Sequence, residues 1–162
     1  MPITDTKTTK ITALDASGTK FASLANALLA DIISLEVATT DSIGSTKRFF
    51  RVPSNAVITG LDVKGDAATA GAADIGLCDI SSGAAVSAAL FGSAVSFASA
   101  LNTWTDVQTE ATSTDIDKSG KKLWELLGLT SDPGKAYDVT ATLTTAWTAA
   151  GTVAMRVHYF LP

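Results

Sequence analysis

Hydrophobic and polar residues alternate along most of the chain, and the alternation predicts strands. Ile33, Leu35 and Val37 fall on one side, with Ser34 and Glu36 on the other. After the turn-like "TTDSIGS", the run "TKRFFRVP" sets Arg48, Phe50 and Val52 against Lys47, Phe49 and Arg51. Pro53-Ser54-Asn55 stops that ladder, because proline lacks the N–H a central strand needs. "AVITGLDVKGD" sets Val57, Thr59, Leu61 and Val63 against Ile58, Gly60, Asp62 and Lys64. In "ADIGLCDI", Ala73, Ile75 and Leu77 oppose Asp74, Gly76 and Cys78. Near the end, Tyr137, Val139, Ala141 and Leu143 oppose Asp138, Thr140 and Thr142. "TTAWTAAG" reads as a long hairpin turn into a last strand with Val153, Met155, Val157 and Tyr159 inward. Ala154, Arg156, His158 and Phe160 then face outward. Short strands separated by Gly/Ser/Asn turns predict an all-β, antiparallel sandwich or barrel.

Three stretches depart from this period. Residues 1–20 are rich in Thr, Asp and Lys, with isolated Ile3, Ile11 and Leu14. They read as an extended N-terminal arm that orders on a partner, ahead of a single domain over residues 21–162. "FASLANALLA" (21–30) fits either a short helix or an extended lead-in. "KKLWELLGL" places Leu123, Leu126 and Leu127 on one helical stripe, with Gly128 at the natural stop. It predicts a short helix of two or three turns that lids one end of the sandwich, with Trp124 adding apolar area. Residues 81–120 have no clear period, although Trp104 and Val107 are expected to bury against the sheets.

Composition narrows the function classes. Hydrophobic residues make up 46% and charged residues 17%, enough apolar surface to offset chain entropy in one domain. The net charge of -4 gives no clustered Lys or Arg for nucleic acid. The apolar "FASLANALLADII" is broken by Asn26 and Asp31, too short for a membrane span, and no basic-then-apolar leader opens the chain. The chain reads as soluble and made in a reducing cytoplasm. The single Cys78 precludes an internal disulfide and reads as a small buried residue.

Candidate chemical motifs fail on spacing. "LGLTSDPGKAYDV" suggests a phosphate loop, but Gly128 and Gly134 enclose five residues where four are needed. Ala136 stands where the magnesium-binding hydroxyl belongs, and a helix precedes where a strand should. Asp132-Pro133-Gly134 is better read as a tight turn. "DIDKSG" (115–120) begins like a calcium loop, but Leu126 occupies the closing carboxylate position. His158 is the single histidine, so a several-histidine metal site is excluded. A Ser-His-Asp triad would have to use it, outward-facing and with no nucleophile elbow. No catalytic residue, metal or cofactor is expected. Trp147, in what reads as a hairpin tip, is expected to be exposed and so a contact residue.

Two blocks carry a resemblance: "RFFRVPSNAVITGLDVKGDAATAGAADIGLCD" and "LWELLGLTSDPGKAYDVTATLTTAWTAAGTVAMRVHY". From Arg48 to Tyr159 the chain resembles small tailed-bacteriophage virion proteins that decorate or cement the capsid. The resemblance implies a jelly-roll-like sandwich without catalytic activity, carried on the capsid surface and assembled in the host bacterial cytoplasm. It implies the major capsid protein as partner and a symmetric homo-oligomer, with a trimer favoured. The partner-binding candidates are Ile3, Ile11 and Leu14 of the arm, and Trp147. The alternative is a receptor- or carbohydrate-binding sandwich of a head or tail fibre, with Trp147 and Trp104 clustered at a groove. A hydrolase using His158 ranks third.

Overall fold

A computed structural model describes residues 5–8, 11–12, 15–16, 27–67, 70–109 and 114–162. Its strands are β1 (Asp5–Lys7), β2 (Leu28–Val37), β3 (Thr46–Pro53), β4 (Val57–Gly65) and β5 (Ala72–Asp79). There follow β6 (Ala85–Ser96), β7 (Leu101–Asp106), β8 (Ala136–Thr145) and β9 (Gly151–Phe160). A 3-10 turn (Ile116–Lys118) and a helix α1 (Leu123–Leu126) lie between β7 and β8.

The strands form two sheets. Sheet I runs β1-β3-β8-β5-β6 and sheet II runs β2-β9-β4-β7. Setting β1 aside, the orders β3-β8-β5-β6 and β2-β9-β4-β7 are those of two interlocked Greek keys, the jelly-roll arrangement. All of their pairings are antiparallel; β1 alone adds in parallel, beside β3. The core lies between the layers. Phe49, Phe50, Leu61, Ile75, Leu77, Phe91, Val139, Met155 and Val157 are among its buried members. The alternation predicted for β2, β5, β8 and β9 holds: their named inward residues are buried or pack on the core.

Two strands break their predicted alternation at bulges. The β3–β8 register shifts between Arg48 and Phe50, so Phe49 is an extra residue. Phe49, Phe50 and Val52 are then all buried in the core cluster, and Arg48 and Arg51 share the outer face. The β4–β9 register shifts between Ile58 and Gly60. This turns Thr59 out to solvent and Ile58 in, the reverse of the sequence expectation.

The β8–β9 connection also differs. It is no hairpin, because β8 lies in sheet I and β9 in sheet II. The segment "TTAWTAAG" crosses the end of the sandwich from one layer to the other. Trp147 is therefore plugged into the core, 2% exposed, its ring centroid 5.5 Å from that of Phe97. The expectation of an exposed Trp147 is corrected: a crossover carries its apolar residue between the sheets, whereas a hairpin tip would hold it in solvent. Residues 81–120, unclear in sequence, supply β6 and β7. Val107 is buried as expected, whereas Trp104 is half-buried on the outer face.

The predicted helix is present but only four residues long. Leu123 is fully buried, and Leu126 and Leu127 pack against the core. Its first N–H groups do not face solvent. Leu123 N–H donates to the Ala56 carbonyl (2.9 Å) and Trp124 N–H to that of Ser54 (3.0 Å), pinning the helix to the β3–β4 turn. Gly128 at φ +72° ends it, its N–H donating to the Glu125 carbonyl. Of the stretch 21–30, Leu28–Ala30 are extended in β2, and 21–26 lie outside the described residues.

Trp147→Ala should lower unfolding free energy by about 3–5 kcal/mol, the cost of emptying a packed aromatic site. Urea denaturation reads this directly. A change within about 0.5 kcal/mol would mean that the ring sits at the surface.

Candidate functional site

The most concentrated polar chemistry lies on the outer face of sheet I, where two arginines and three carboxylates meet. Asp138, on central β8, is 0% exposed. Arg51 grips it in bidentate fashion, Nε to Oδ1 at 2.7 Å and Nη2 to Oδ2 at 3.1 Å. Arg48 Nη1 approaches Oδ2 at 3.4 Å and donates to the Ile80 carbonyl at 3.3 Å. The bulge at Phe49 makes this possible. Without it, residues three apart on a strand would point to opposite faces. Gly83, at φ +74°, completes the space: a Cβ there would lie 2.2 Å from Arg48 Nη2.

The arginines hold more charge than Asp138 balances, and the chain's own N-terminal segment supplies the rest. Asp5 accepts from Arg48 Nε at 2.9 Å and from Nη2 at 2.5 Å. Asp15 pairs with Arg51 at 2.6 Å and with Lys7 at 2.8 Å. Thr8 satisfies both carbonyls at the bulge: its N–H donates to Arg48 O (3.2 Å) and its hydroxyl to Phe49 O (3.3 Å). The Thr8 hydroxyl also accepts the Ile11 N–H at 3.2 Å. Its hydrogen bonds to Asp138 first, against the pull of burial, raise the pKa of Arg51 further. The Lys7 hydrogen bond, opposed by burial and aided by Arg51, lowers that of Asp15.

Of the partner-binding candidates, Ile3 and Leu14 lie outside the described residues. Ile11 is 0% exposed, so its expected availability to a partner is corrected. The described arm residues dock on their own sheet, and Ile11 is buried with its N–H donating to the Thr8 hydroxyl. Trp147 and Trp104 do not cluster. Trp147 is in the core, and Trp104 lies on the outer side of sheet II with the Arg156 guanidinium 4.8 Å from its ring centre.

Sheet II presents its own outer surface. A groove of about 690 Å³ is bounded by Asp62, Asp106, Ile116, Arg156 and His158. Arg156 is ion-paired with Asp62 at 2.8 Å. His158 faces outward as predicted, half-buried beside Gly60.

The remaining sequence candidates have structural work. Asp132 accepts the Gly134 N–H at 2.9 Å and the Ser54 hydroxyl, tying the "DPGK" turn to the β3–β4 corner. The chain then enters β8, not a helix. Asp115 caps the 3-10 turn by accepting the Ile116 N–H. Among the described residues no group of three or more His, Cys, Asp or Glu is placed to hold a metal. Cys78 is buried opposite Asp138, and burial pushes its thiol up to about 11. The arginine cluster itself was not singled out in the sequence. Its signal is a pair of arginines inside an otherwise apolar strand, "RFFR", and an aspartate inside another, "YDV".

No protein-family model matches the chain. No curated protein matches it either. Solved structures do. The chain is similar to one in the cyanophage Pam1 capsid asymmetric unit, with a TM-score of 0.52 at 17% identity. The similarity covers 90% of this chain and 96% of that one. A chain in the capsid of Ralstonia phage GP4 is also similar, at TM-score 0.49 and 14% identity, covering 89% and 90%. The Pam1 likeness shows the fold, including its extent: a jelly roll of similar length from end to end.

Asp138→Ala should cost about 3–5 kcal/mol in urea denaturation, because it strands two buried guanidinium groups. Loss of less than about 1 kcal/mol would show that Asp5 and Asp15 alone neutralise them. The arm should also respond to acid. A depressed carboxylate pKa contributes stability above the ordinary value of 3.8, and this is lost as pH falls through the lowered pKa. Amide exchange at Thr8 should therefore accelerate below pH 3.8 relative to β8, and Asp15→Asn should remove part of that dependence. Equal acid sensitivity in both proteins would exclude Asp15 as the cause.

Proposed function

We propose that the chain is a structural protein of a tailed-phage virion that binds the outer surface of the capsid and decorates or cements the shell. One observation carries this reading: its fold follows a chain of the Pam1 capsid asymmetric unit over 90% of its own length and 96% of the other. The role is structural rather than catalytic. Its partner is the major capsid protein, met by a symmetric oligomer of this chain. Many copies with individually modest contacts attach durably, because the contacts act together.

The arm supplies part of the grip in this reading. Ile11 anchors it to sheet I, and Ile3 and Leu14 are its contact residues. The carbohydrate-binding alternative rested on paired surface tryptophans, and Trp147 and Trp104 lie on opposite sides of sheet II.

Purified protein should co-sediment with capsids that lack it, saturating at a fixed ratio to capsid subunits. Removal of the residues before Phe21 should weaken binding, while a melting curve reports the cost of losing the arm's ion pairs. Absence of co-sedimentation by the intact chain would sink the proposal. Undiminished binding by the truncated chain would move the grip from the arm to the loops.

A further inference from the structure

Among the described residues, three of the four sheet edges are blunted and the fourth is unpaired. In sheet I, edge strand β1 has three residues and carries Lys7. The other edge, β6, shifts register against β5 at three places and holds Ala94 at φ 50°. In sheet II, edge strand β7 has six residues and a register shift against β4. Short strands, lysines and bulges are the devices that discourage edge-to-edge pairing. Edge strand β2 has none of them. It is ten residues long, contains no Lys, Arg or Pro, and keeps one register with β9 from Leu28 to Val37. Among the described residues no strand pairs with its other side.

The open edge also carries the two most exposed large apolar residues of the strands. Leu28 is 65% exposed and Ile32 64% exposed. Both lie on the outer face with Ala30 between them, and Leu28 is next to Phe160 across the β9 pairing. Ile32 N–H donates to its neighbour's carboxylate, Asp31 Oδ1, at 3.0 Å, and so does not serve the ladder. Alternate residues of a strand direct their N–H and C=O to the same side. The groups of Leu28, Ala30, Ile32 and Ser34 therefore face away from β9, and the N–H of Ile32 is met by Asp31.

We propose that β2 pairs antiparallel with β2 of a second copy of this chain, across a two-fold axis at Ala30, joining two sheets II into one. The occupant follows from the strand. An open backbone ladder is filled by another strand, and the pairing about Ala30 matches this one to itself. Leu28 then faces Ile32 of the other copy, Ile32 faces its Leu28, and Ala30 faces Ala30. Every residue so opposed directs its hydrogen-bonding groups across the joint. Asp31 falls opposite Leu29, so the two copies' carboxylates do not meet head-on, as they would with the axis at Asp31. Such a contact is isologous and closes as a dimer, in place of the trimer implied by the resemblance. It concerns the free protein and holds whether or not the capsid reading does.

Sedimentation equilibrium of the purified full chain should give the mass of two chains. Ile32→Lys should halve it, by placing a charge on the edge, and leave the melting temperature of the monomer unchanged. Ala30→Cys should form an intermolecular disulfide on mild oxidation, because opposed Cα atoms in such a pair lie about 5.5 Å apart. Glu36→Cys, far from the axis, should not, and buried Cys78 should stay reduced in both. A monomer or trimer for the unaltered protein would overturn the proposal. So would a dimer that survives Ile32→Lys, or cross-linking that is equal at positions 30 and 36.

Discussion

The arrangement of sheet I depends on keeping two guanidinium groups charged and satisfied on a face from which water is excluded. Desolvating an ion is expensive, and its cost is offset only by close, well-oriented partners. Asp138 meets that requirement from the middle strand, but a single carboxylate cannot balance two arginines. The imbalance gives the N-terminal segment its place. Asp5 and Asp15 complete the charge, Thr8 takes the irregular carbonyls of the bulge, and Ile11 is buried. The arm belongs to the electrostatic balance of the sheet as well as to its edge. An arm of this kind can leave its site only where another source of negative charge takes its place.

Much of this fold was legible because period-two alternation is imposed by the backbone itself. β5, β8 and β9 read correctly for that reason, and so did the leucine stripe of α1. What escaped was set by partners distant in sequence. A bulge is a relation between two strands, so nothing within "RFFRVP" says that Phe49 will be extra. The same holds for Thr59, which looked inward by counting and points outward by pairing. Trp147 shows the problem most clearly. Two strands joined by a polar, Gly-containing connection look like a hairpin, and the tip of a hairpin is solvated. Assigning the strands to different layers reverses that conclusion, and the layer of a strand is not a local property. The arginine cluster was visible as charges inside apolar runs. Their position among inward-facing neighbours hid the fact that they share a face.

The two faces of the sandwich are finished differently. Sheet I carries the described residues of the arm, and its two arginines are paired within the chain. Sheet II keeps an outer surface of mixed character, with Arg156 between Asp62 and Trp104, and Leu28 and Ile32 at its margin. The two layers of this jelly roll thus differ in how far their outer side chains are already paired.

The position of β9 has a consequence for synthesis. It lies between β2 and β4, so sheet II has no centre until residues 151–160 have left the ribosome. β2 is made more than a hundred residues earlier, and β9 is its strand partner among the described residues. Pairings between segments so far apart form slowly and leave edges unprotected meanwhile. A chain halted before residue 151 would leave β2 and β4 without the strand between them, while the strands of sheet I would all be present. Sheet II therefore closes late, once β9 can enter between two strands made long before it.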